Sequence, residues 1–296
     1  MQPLFTIVIP SYNRGHLILK AIRSVLSQTF NDFEIIVVDD GSTDDTESVV
    51  KKLSNQKLKY YKIENSERGA ARNFGGKCAQ GKYLTFLDSD DVLYTNHLKK
   101  AADFIEQFHP VVFHQDFEMI SEEGRLLKTF TVSAINKKIL SGNLLSCNGV
   151  FIRREDFLNN LFCEDRKMAS LEDWELWIRL AAKFNFDYHH AVTSAIVNHL
   201  DRSVMTVNKE RIKTKVDLFI DKVMNNPHNQ LSYGKRLQWA QASALTYAAL
   251  HLSLAKEKKT VVINYLWKAI LISPREIFKK RFLVIIKNLV LPYSVH

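Results

Sequence analysis

The stretch FEIIVVDDGSTDDT, residues 33–46, decides the fold class, because an apolar run passes directly into two carboxylates and a turn. Its apolar part is short and rich in β-branched residues, as expected of a buried strand. The Gly-Ser pair and the acidic residues behind it suit the beginning of a helix, where carboxylates cap the chain and oppose the helix dipole. A buried strand that leads straight into a helix is the repeating unit of parallel sheets.

The same alternation continues on both sides of this stretch. Further strand-like runs are LFTIVIP (4–10), LKYYKI (58–63) and KYLTFLD (82–88), and helix-like segments lie between them. This pattern predicts an α/β fold with a mostly parallel sheet and helices on both faces.

The second half of the chain changes its pattern twice. A helix is predicted to stop before Pro110, and two strands joined through SEEG (121–124) are predicted to form a hairpin. A strand over 149–154 and a helix over 171–184 follow. Beyond about residue 205 only helical patterns remain. We therefore predict a domain over 1–204, with halves 1–95 and 96–204, and a helical region over 205–296.

Composition narrows the class of protein. The 296 residues carry a net charge of +9, but residues 201–296 alone hold 17 Lys and Arg against 6 Asp and Glu. No nucleic-acid module accompanies this basic region, so nucleic-acid binding is not expected. The amino terminus lacks the features of a signal peptide, and the three cysteines lack disulfide-like spacing. We expect a cytoplasmic protein, with peripheral contact at the inner face of the plasma membrane as an extension of that location.

Polar residues crowd three predicted strand ends, where ligands bind in open α/β sheets. They are Pro10, Tyr12, Asn13 and Arg14 after the first strand, Asp39 and Asp40 after the second, and Asp88, Ser89, Asp90 and Asp91 after the fourth. Acidic groups after the second strand suit hydrogen bonding to a base or ribose. Those after the fourth suit Mg²⁺ or Mn²⁺ on a diphosphate, because these ions prefer oxygen ligands. Each acidic cluster taken alone could instead cap the helix or turn that follows.

The chain lacks both GxGxxG and GxxxxGK[ST], which disfavours a dinucleotide site of the Rossmann type and a P-loop. A nucleotidyltransferase would need a glycine-rich basic loop after the first strand, and a haloacid-type phosphatase would need its acidic motif there. Neither is present.

The motifs IVIPSYNR (7–14), FEIIVVDDGSTDDT, ERGAARNFG (67–75) and YLTFLDSDD (83–91) together resemble the nucleotide-binding half of family 2 glycosyltransferases. NGVFIRREDF (148–157) and the segment LEDWELWIRLA, which begins at Leu171, resemble the acceptor-side half. The likeness covers roughly residues 4–204. It implies a GT-A fold, a Rossmann-like mixed and mostly parallel sheet with helices on both faces, followed here by the all-helical carboxyl-terminal extension.

The resemblance also implies roles for individual residues. The loop around Tyr12 and Arg14, together with Asp39, would hold the base of a nucleotide sugar, most often a uridine diphosphate sugar. Arg68 would lie near the nucleotide and Asp88 near the ribose. The full set implied for nucleotide binding is Pro10, Tyr12, Asn13, Arg14, Asp39, Asp40, Arg68, Asp88 and Ser89.

Asp90 would hold Mn²⁺ or Mg²⁺, and Asp173 would be the catalytic base of an inverting transfer. Glu172 and Trp174 beside it would lie on the acceptor side. Without the other motifs, the two acidic residues of LEDW could simply begin a helix. His199 is a second candidate for the metal or diphosphate, and the alternative for it is an ordinary loop histidine.

The family often has a Gly-Phe-Asp turn before the ED motif, and this chain has NNLFCEDRKMASLED (159–173) instead. This departure leaves the acceptor open, and a saccharide or a lipid-linked sugar would both fit. The alternative function is a non-catalytic scaffold that binds a nucleotide sugar or a partner protein. The retained Asp173 argues against it, since a binding module needs no base.

Residues 274–293 combine apolar side chains at helical spacing with five basic ones. A basic amphipathic helix predicts contact with an anionic membrane surface. The alternative is a helix packed on the rest of the protein with a solvated basic face. The oligomeric state stays open, with a homodimer as one option.

Overall fold

The computed structural model describes residues 2–199 and 209–290, and the chain divides into two compact units. The first comprises residues 1–136, 144–166 and 184–200. The second comprises 137–143, 167–183 and 201–296. The predicted boundary at residue 204 falls outside the described residues, so the domain division made from the sequence stays a prediction.

The first unit is built on a nine-stranded sheet within the described residues. Its strands are β1 (Phe5–Ser11), β2 (Phe33–Asp39), β3 (Leu58–Lys62), β4 (Tyr83–Phe86), β5 (Val92–Leu93), β6 (Val112–Ser121), β7 (Leu126–Phe130), β8 (Val150–Arg153) and β9 (Phe186–Asn198). The strand order is β3-β2-β1-β4-β8-β6-β9-β5, and β7 pairs with β6 at the side. Strands β1 to β4 pair in parallel, whereas β8 runs antiparallel to both β4 and β6. The predicted mixed sheet is therefore confirmed.

Helices cover this sheet, as expected from the alternating pattern. They are α1 (Gly15–Leu26), α2 (Thr46–Lys51), α3 (Glu67–Cys78), α4 (His97–Phe108) and α6 (Arg154–Leu158). The short helix α5 (Ile135–Lys138) lies at a boundary between the two units. A buried core of aliphatic and aromatic side chains from α1, α4 and strands β1, β2 and β6 fills one side of the sheet. On α3, Gly75 permits a close approach to the sheet, because a Cβ there would lie 2.4 Å from a methyl carbon of Val8.

The predicted hairpin is confirmed, since β6 and β7 pair antiparallel on either side of the SEEG turn. The predicted helix before Pro110 and the strand at 149–154 are confirmed as α4 and β8. The longest strand, β9, was not predicted. It carries tyrosine and histidine side chains, and its pairing with β6 shifts register twice, so no clean alternation marks it in the sequence.

The second unit is helical in its described part. Its helices are α7 (Glu172–Lys183), α8 (Lys209–Asn225), α9 (Pro227–Tyr233), α10 (Leu237–Leu254), α11 (Lys259–Ile272) and α12 (Lys280–Val290). Helix α10 packs against α8, α11 and α12 and is buried on most of its circumference. The prediction of a helical region beyond residue 205 is thus confirmed for residues 209–290.

The prediction of one continuous amphipathic helix over 274–293 is wrong, because the segment is interrupted. A 3-10 turn spans Pro274–Phe278, Lys279 is extended, and α12 begins only at Lys280. The break is held by Glu276, which is buried and accepts hydrogen bonds from Thr246 at 2.8 Å and from Lys279 at 2.5 Å. Residues 291–293 lie outside the described residues.

Candidate active site

The loops after β1 and β2 are joined by hydrogen bonds at the carboxyl ends of these neighbouring strands. The backbone N–H of Asn13 donates to Ser42 Oγ at 2.8 Å, and the N–H of Thr43 donates to Asn13 Oδ1 at 2.8 Å. Asn13 adopts a left-handed conformation with φ 51°, which asparagine tolerates better than most residues. Asn13 therefore shapes the loop in which Tyr12 stands half exposed.

Asp39 lies fully buried at the end of β2, with both carboxylate oxygens engaged. Oδ1 accepts a hydrogen bond from the backbone N–H of Ser42 at 2.7 Å. Oδ2 accepts a short hydrogen bond from the hydroxyl of Tyr60 on β3. Burial, reinforced by the bond to Asp39, raises the pKa of the Tyr60 hydroxyl above its usual value, so Tyr60 acts as a donor. This carboxylate is thus held in one orientation.

Asp40 has a different environment. Its Oδ1 accepts from the backbone N–H of Ser66 at 2.6 Å and its Oδ2 from that of Glu67 at 2.9 Å. Burial raises the pKa of Asp40, and the two backbone hydrogen bonds oppose this rise. Asp40 therefore satisfies N–H groups at the beginning of α3, the helix that carries Arg68 in its first turn. Its implied contact with the nucleotide stays a prediction.

The three acidic residues after β4 come together, as predicted. One carboxylate oxygen each from Asp88, Asp90 and Asp91 lies within 4.8 Å of the others. Asp91 Oδ1 accepts a hydrogen bond from the backbone N–H of Val197 at 3.1 Å, which ties the cluster to β9. Ser89 between them is buried. A cluster of this size matches the space that one divalent ion needs.

Two cationic or imidazole side chains approach the cluster. Arg72, buried on α3, donates from Nη2 to Asp88 Oδ1 at 2.6 Å. His199, just beyond β9, places Nε2 3.0 Å from Asp90 Oδ2, and its side chain is buried. Among the described residues, Nδ1 of His199 has no hydrogen-bond partner. Carboxylate oxygens of this kind suit Mn²⁺ or Mg²⁺. The metal roles implied for Asp90 and His199 stay predictions.

Asp173 belongs to the second unit, at the beginning of α7. Its Oδ1 accepts from the backbone N–H of Trp174 at 2.7 Å, and its Oδ2 accepts from Asn143 Nδ2 at 2.8 Å. These two contacts orient the carboxylate within its own unit. The role of Asp173 as catalytic base stays a prediction.

The neighbours of Asp173 are buried. Trp174 donates from Nε1 to the carbonyl of Ile139 at 2.7 Å, and its ring stacks on Phe219 with centroids 4.4 Å apart. Glu172 is buried as well. The structure thus gives Trp174 a packing role in the second unit, and the acceptor contacts of Glu172 and Trp174 stay predictions.

Sequence reasoning missed three residues that contact the candidate carboxylates of the two units. Arg72 stands inside the motif ERGAARNFG, so a signal for it existed. Tyr60 and Asn143 have no local signal, because a single tyrosine on a strand and a single asparagine in a loop are ordinary residues. Their contacts with Asp39 and Asp173 depend on segments that are distant along the chain.

Comparison with known proteins agrees with this geometry. The model of the family "Glycosyl transferase family 2" matches residues 6–160, just over half of the chain. The chain belongs to glycosyl transferase family 2. The predicted family, and with it the class of glycosyltransferases, is thereby confirmed.

Several curated relatives of this family 2 chain are bacterial. An uncharacterized glycosyltransferase of Rickettsia conorii is 35% identical over 188 residues, which are 60% of this chain and 30% of that protein. The chain spans about a third or less of the first relatives that it matches. A GalNAc(5)-diNAcBac-PP-undecaprenol β-1,3-glucosyltransferase of Campylobacter jejuni is 29% identical, with 88% of this chain and 86% of that protein covered.

Solved structures share the fold of this family 2 chain. TarS of S. aureus, in complex with UDP-GlcNAc, superposes with a TM-score of 0.69 at 22% identity, covering 96% of this chain and 88% of that one. A mannosyltransferase of Pyrobaculum calidifontis, in complex with GDP-Man and Mn²⁺, has a TM-score of 0.57 at 16% identity and covers 98% and 88%. The predicted GT-A architecture is confirmed by these likenesses.

Proposed function

We propose that this protein is an inverting glycosyltransferase that takes a sugar from a nucleotide-sugar donor, of the uridine diphosphate type, to a lipid-linked saccharide acceptor. The observation that carries the proposal is the acidic cluster after β4, with His199 3.0 Å from Asp90. This donor set fits Mn²⁺ or Mg²⁺, held by Asp90 with His199 as the second protein ligand. When bound, such an ion neutralises charge on the departing nucleoside diphosphate.

The residues of the chain divide the remaining work. A carboxylate can accept a hydrogen bond from the N3–H group of uracil. The hydrogen bonds from Ser42 and Tyr60 fix the orientation of the Asp39 carboxylate for this contact. Cytosine has an acceptor at the corresponding position, so the same carboxylate would reject a cytidine donor. Asp173 takes the proton of the acceptor hydroxyl as that oxygen forms its bond to the anomeric carbon and the bond to the diphosphate breaks. The attack on the face opposite the leaving group inverts the configuration.

The class of acceptor rests on the relatives. The Campylobacter jejuni relative and a UDP-Glc:α-D-GlcNAc-diphosphoundecaprenol β-1,3-glucosyltransferase of Escherichia coli, 29% identical over 225 residues, are both named for undecaprenol diphosphate acceptors. By analogy we infer a polyprenyl-diphosphate saccharide acceptor in bacterial polysaccharide assembly. Such an acceptor would bring the enzyme to the inner face of the plasma membrane, and the predicted contact through residues 274–293 belongs to this proposal.

The first experiment measures binding of UDP, GDP, dTDP and CDP by calorimetry, each with and without Mn²⁺. We expect metal-dependent binding that favours UDP and that weakens by more than about tenfold in Asp90→Ala, since the ligand of the ion is lost. Asp103→Ala, an exposed carboxylate on α4 that pairs only with Lys99 among the described residues, is the matched control. Nucleotide binding that is unaffected by Asp90→Ala would contradict the assignment of Asp90 as a metal ligand. Binding of the nucleotide sugar without release of UDP would favour the alternative function, a non-catalytic scaffold.

A further inference from the structure

Helix α11 exposes a row of large apolar side chains on one face. Ile263, Trp267 and Leu271 stand four residues apart and are 51%, 58% and 66% exposed. Residues with this spacing lie one above another on a helix. The opposite face is buried through Val262 and Leu266, and α11 packs against α10. The exposed row is therefore additional to the face by which the helix is anchored.

Two further apolar side chains are exposed beyond the end of the helix. In the 3-10 turn that follows, Ile277 is exposed and Phe278 is 84% exposed. We call these five side chains, Ile263, Trp267, Leu271, Ile277 and Phe278, the apolar row. Exposed apolar side chains are common singly, but several large ones along one segment mark a surface for docking.

Within residues 259–290, the exposed charges have one sign. Residues 259–290 contain seven Lys and Arg and one acidic residue, Glu276. Glu276 is buried, where it pairs with Lys279 and lies 3.8 Å from Arg281. The basic side chains left exposed in this segment are Lys259, Lys268, Arg275, Lys280 and Lys287. The exposed charges that residues 259–290 themselves contribute are thus all cationic, and the acidic residues near α11, Glu210 and Asp217 by Tyr265, belong to α8.

We propose that the apolar row and its basic flanks dock on an anionic phospholipid bilayer. Aromatic and aliphatic side chains would enter the headgroup boundary, where tryptophan is especially favoured. The flanking lysines would interact with lipid phosphates and add electrostatic attraction near the surface. A second copy of the chain is the poorer occupant, because a symmetric dimer would bring two identical basic surfaces together.

This surface differs from the one that the sequence predicts. Helix α11 precedes residue 274, and it supplies most of the apolar row. Lys279 and Arg281, two of the five basic residues counted over 274–293, instead donate hydrogen bonds to the carbonyl of Ser141 at 2.8 and 2.7 Å. Burial lowers the pKa of both side chains. They hold the turn against the rest of the second unit.

The test is flotation of the full chain with phosphatidylcholine vesicles, with and without phosphatidylglycerol, in the absence of donor and acceptor. We expect binding to the anionic vesicles that weakens as salt rises. Trp267→Ser combined with Leu271→Ser should reduce this binding by at least about tenfold, because two side chains no longer enter the bilayer. Lys259→Glu combined with Lys268→Glu should reduce binding to anionic vesicles by a similar factor.

Matched controls lie in the same unit. Leu231→Ser removes an 87% exposed leucine on α9, and Lys222→Glu with Lys235→Glu reverses two exposed lysines elsewhere. Neither should change flotation. Equal binding by all variants, absence of binding by the wild-type chain, or equal binding to neutral vesicles would overturn the proposal. A wild-type dimer that the apolar-row variants convert to monomer, without flotation, would assign the surface to a second copy instead.

Vesicle binding is independent of the proposed glycosyl transfer. Asp90→Ala should lose metal-dependent nucleotide binding and keep flotation. The apolar-row variants should keep the affinity for UDP in solution. The two proposals can therefore fail separately.

Discussion

At the scale of single residues, the site depends on carboxylates whose orientation other side chains fix. Asp39, Asp40, Asp88 and Asp173 each accept hydrogen bonds from groups distant in the sequence or in the adjacent turn. Asp39 and Asp40 are buried, and a buried carboxylate must be satisfied in this way, because desolvation of an unpaired charge costs several kcal/mol. The partner groups therefore contribute to function through the carboxylates that they hold.

Tyr60→Phe removes the hydroxyl that binds Asp39 and leaves the ring in place. A hydrogen bond to a charged group contributes about 1.5–3 kcal/mol, so we expect affinity for UDP to fall by roughly tenfold or more. Affinity for Mn²⁺ with diphosphate alone should not change. Calorimetry measures both, and Tyr61→Phe on the same strand is the control. Unchanged UDP affinity would show that Asp39 needs no support from β3.

Asn143→Ala removes the side chain that donates to Asp173 Oδ2. If Asn143 positions the base, kcat should fall by about tenfold, by analogy with other losses of orientation, while KM for the donor stays constant. Steady-state assays with the nucleotide sugar and acceptor provide the comparison. Asn159→Ala, which removes an exposed asparagine directly after α6, is the control. A rise in KM for the donor with constant kcat would argue against positioning of the base.

At the scale of elements, β9 is the last strand of the first unit in the sequence, and it contacts several earlier elements. It pairs with β6 and β5, contributes the N–H that binds Asp91, and leads to His199. It also contributes Thr193, which bonds to a histidine on α4. Nδ1 of the fully buried His97 lies 2.8 Å from Thr193 Oγ1.

His97 makes the packing of α4 sensitive to pH. Burial lowers the pKa of His97 from 6.5 to about 3, and the hydrogen bond to Thr193 opposes this shift. The unfolded chain therefore binds a proton below about pH 6.5 that the folded chain excludes, and stability is lost as pH falls from 6.5 toward 3. For this histidine alone the loss between pH 6.5 and 5 is on the order of 1 to 2 kcal/mol.

The variant His97→Gln keeps a hydrogen-bonding side chain for Thr193, and its amide does not titrate in this pH range. We expect its free energy of unfolding to fall less steeply over pH 6.5–5 than that of the wild-type chain, by denaturant titration at each pH. His228→Gln, on an exposed part of α9, should keep the wild-type slope. Parallel slopes for wild type and His97→Gln would rule out His97 as the source.

At the scale of the whole molecule, the proposed tasks fall on different compact units. The nucleotide and metal residues belong to the first unit, and Asp173 with Asn143 belongs to the second. Within the described residues, no helix is both long enough and apolar enough to cross a bilayer. The apolar row belongs to the second unit as well.

Asp173→Asn tests this division. We expect UDP and Mn²⁺ affinity to stay within about twofold of wild type, while kcat falls by about 10² to 10⁴, the usual contribution of a general base. Calorimetry and turnover assays on one preparation give both numbers. Loss of nucleotide affinity in this variant would place Asp173 in donor binding rather than in proton transfer.

The sequence by itself determined the α/β class, the hairpin, the helical carboxyl-terminal region and the crowding of Asp88, Asp90 and Asp91. These features follow from local periodicity and from residues that are neighbours along the chain. Only the tertiary structure decided that Tyr60 holds Asp39, that Asn143 holds Asp173, and that β9 carries His199 to Asp90. It also decided that Lys279 and Arg281 turn inward while Trp267 stays exposed. Such contacts join segments that are far apart in the sequence. Composition and local spacing do not predict which distant residue a side chain will contact.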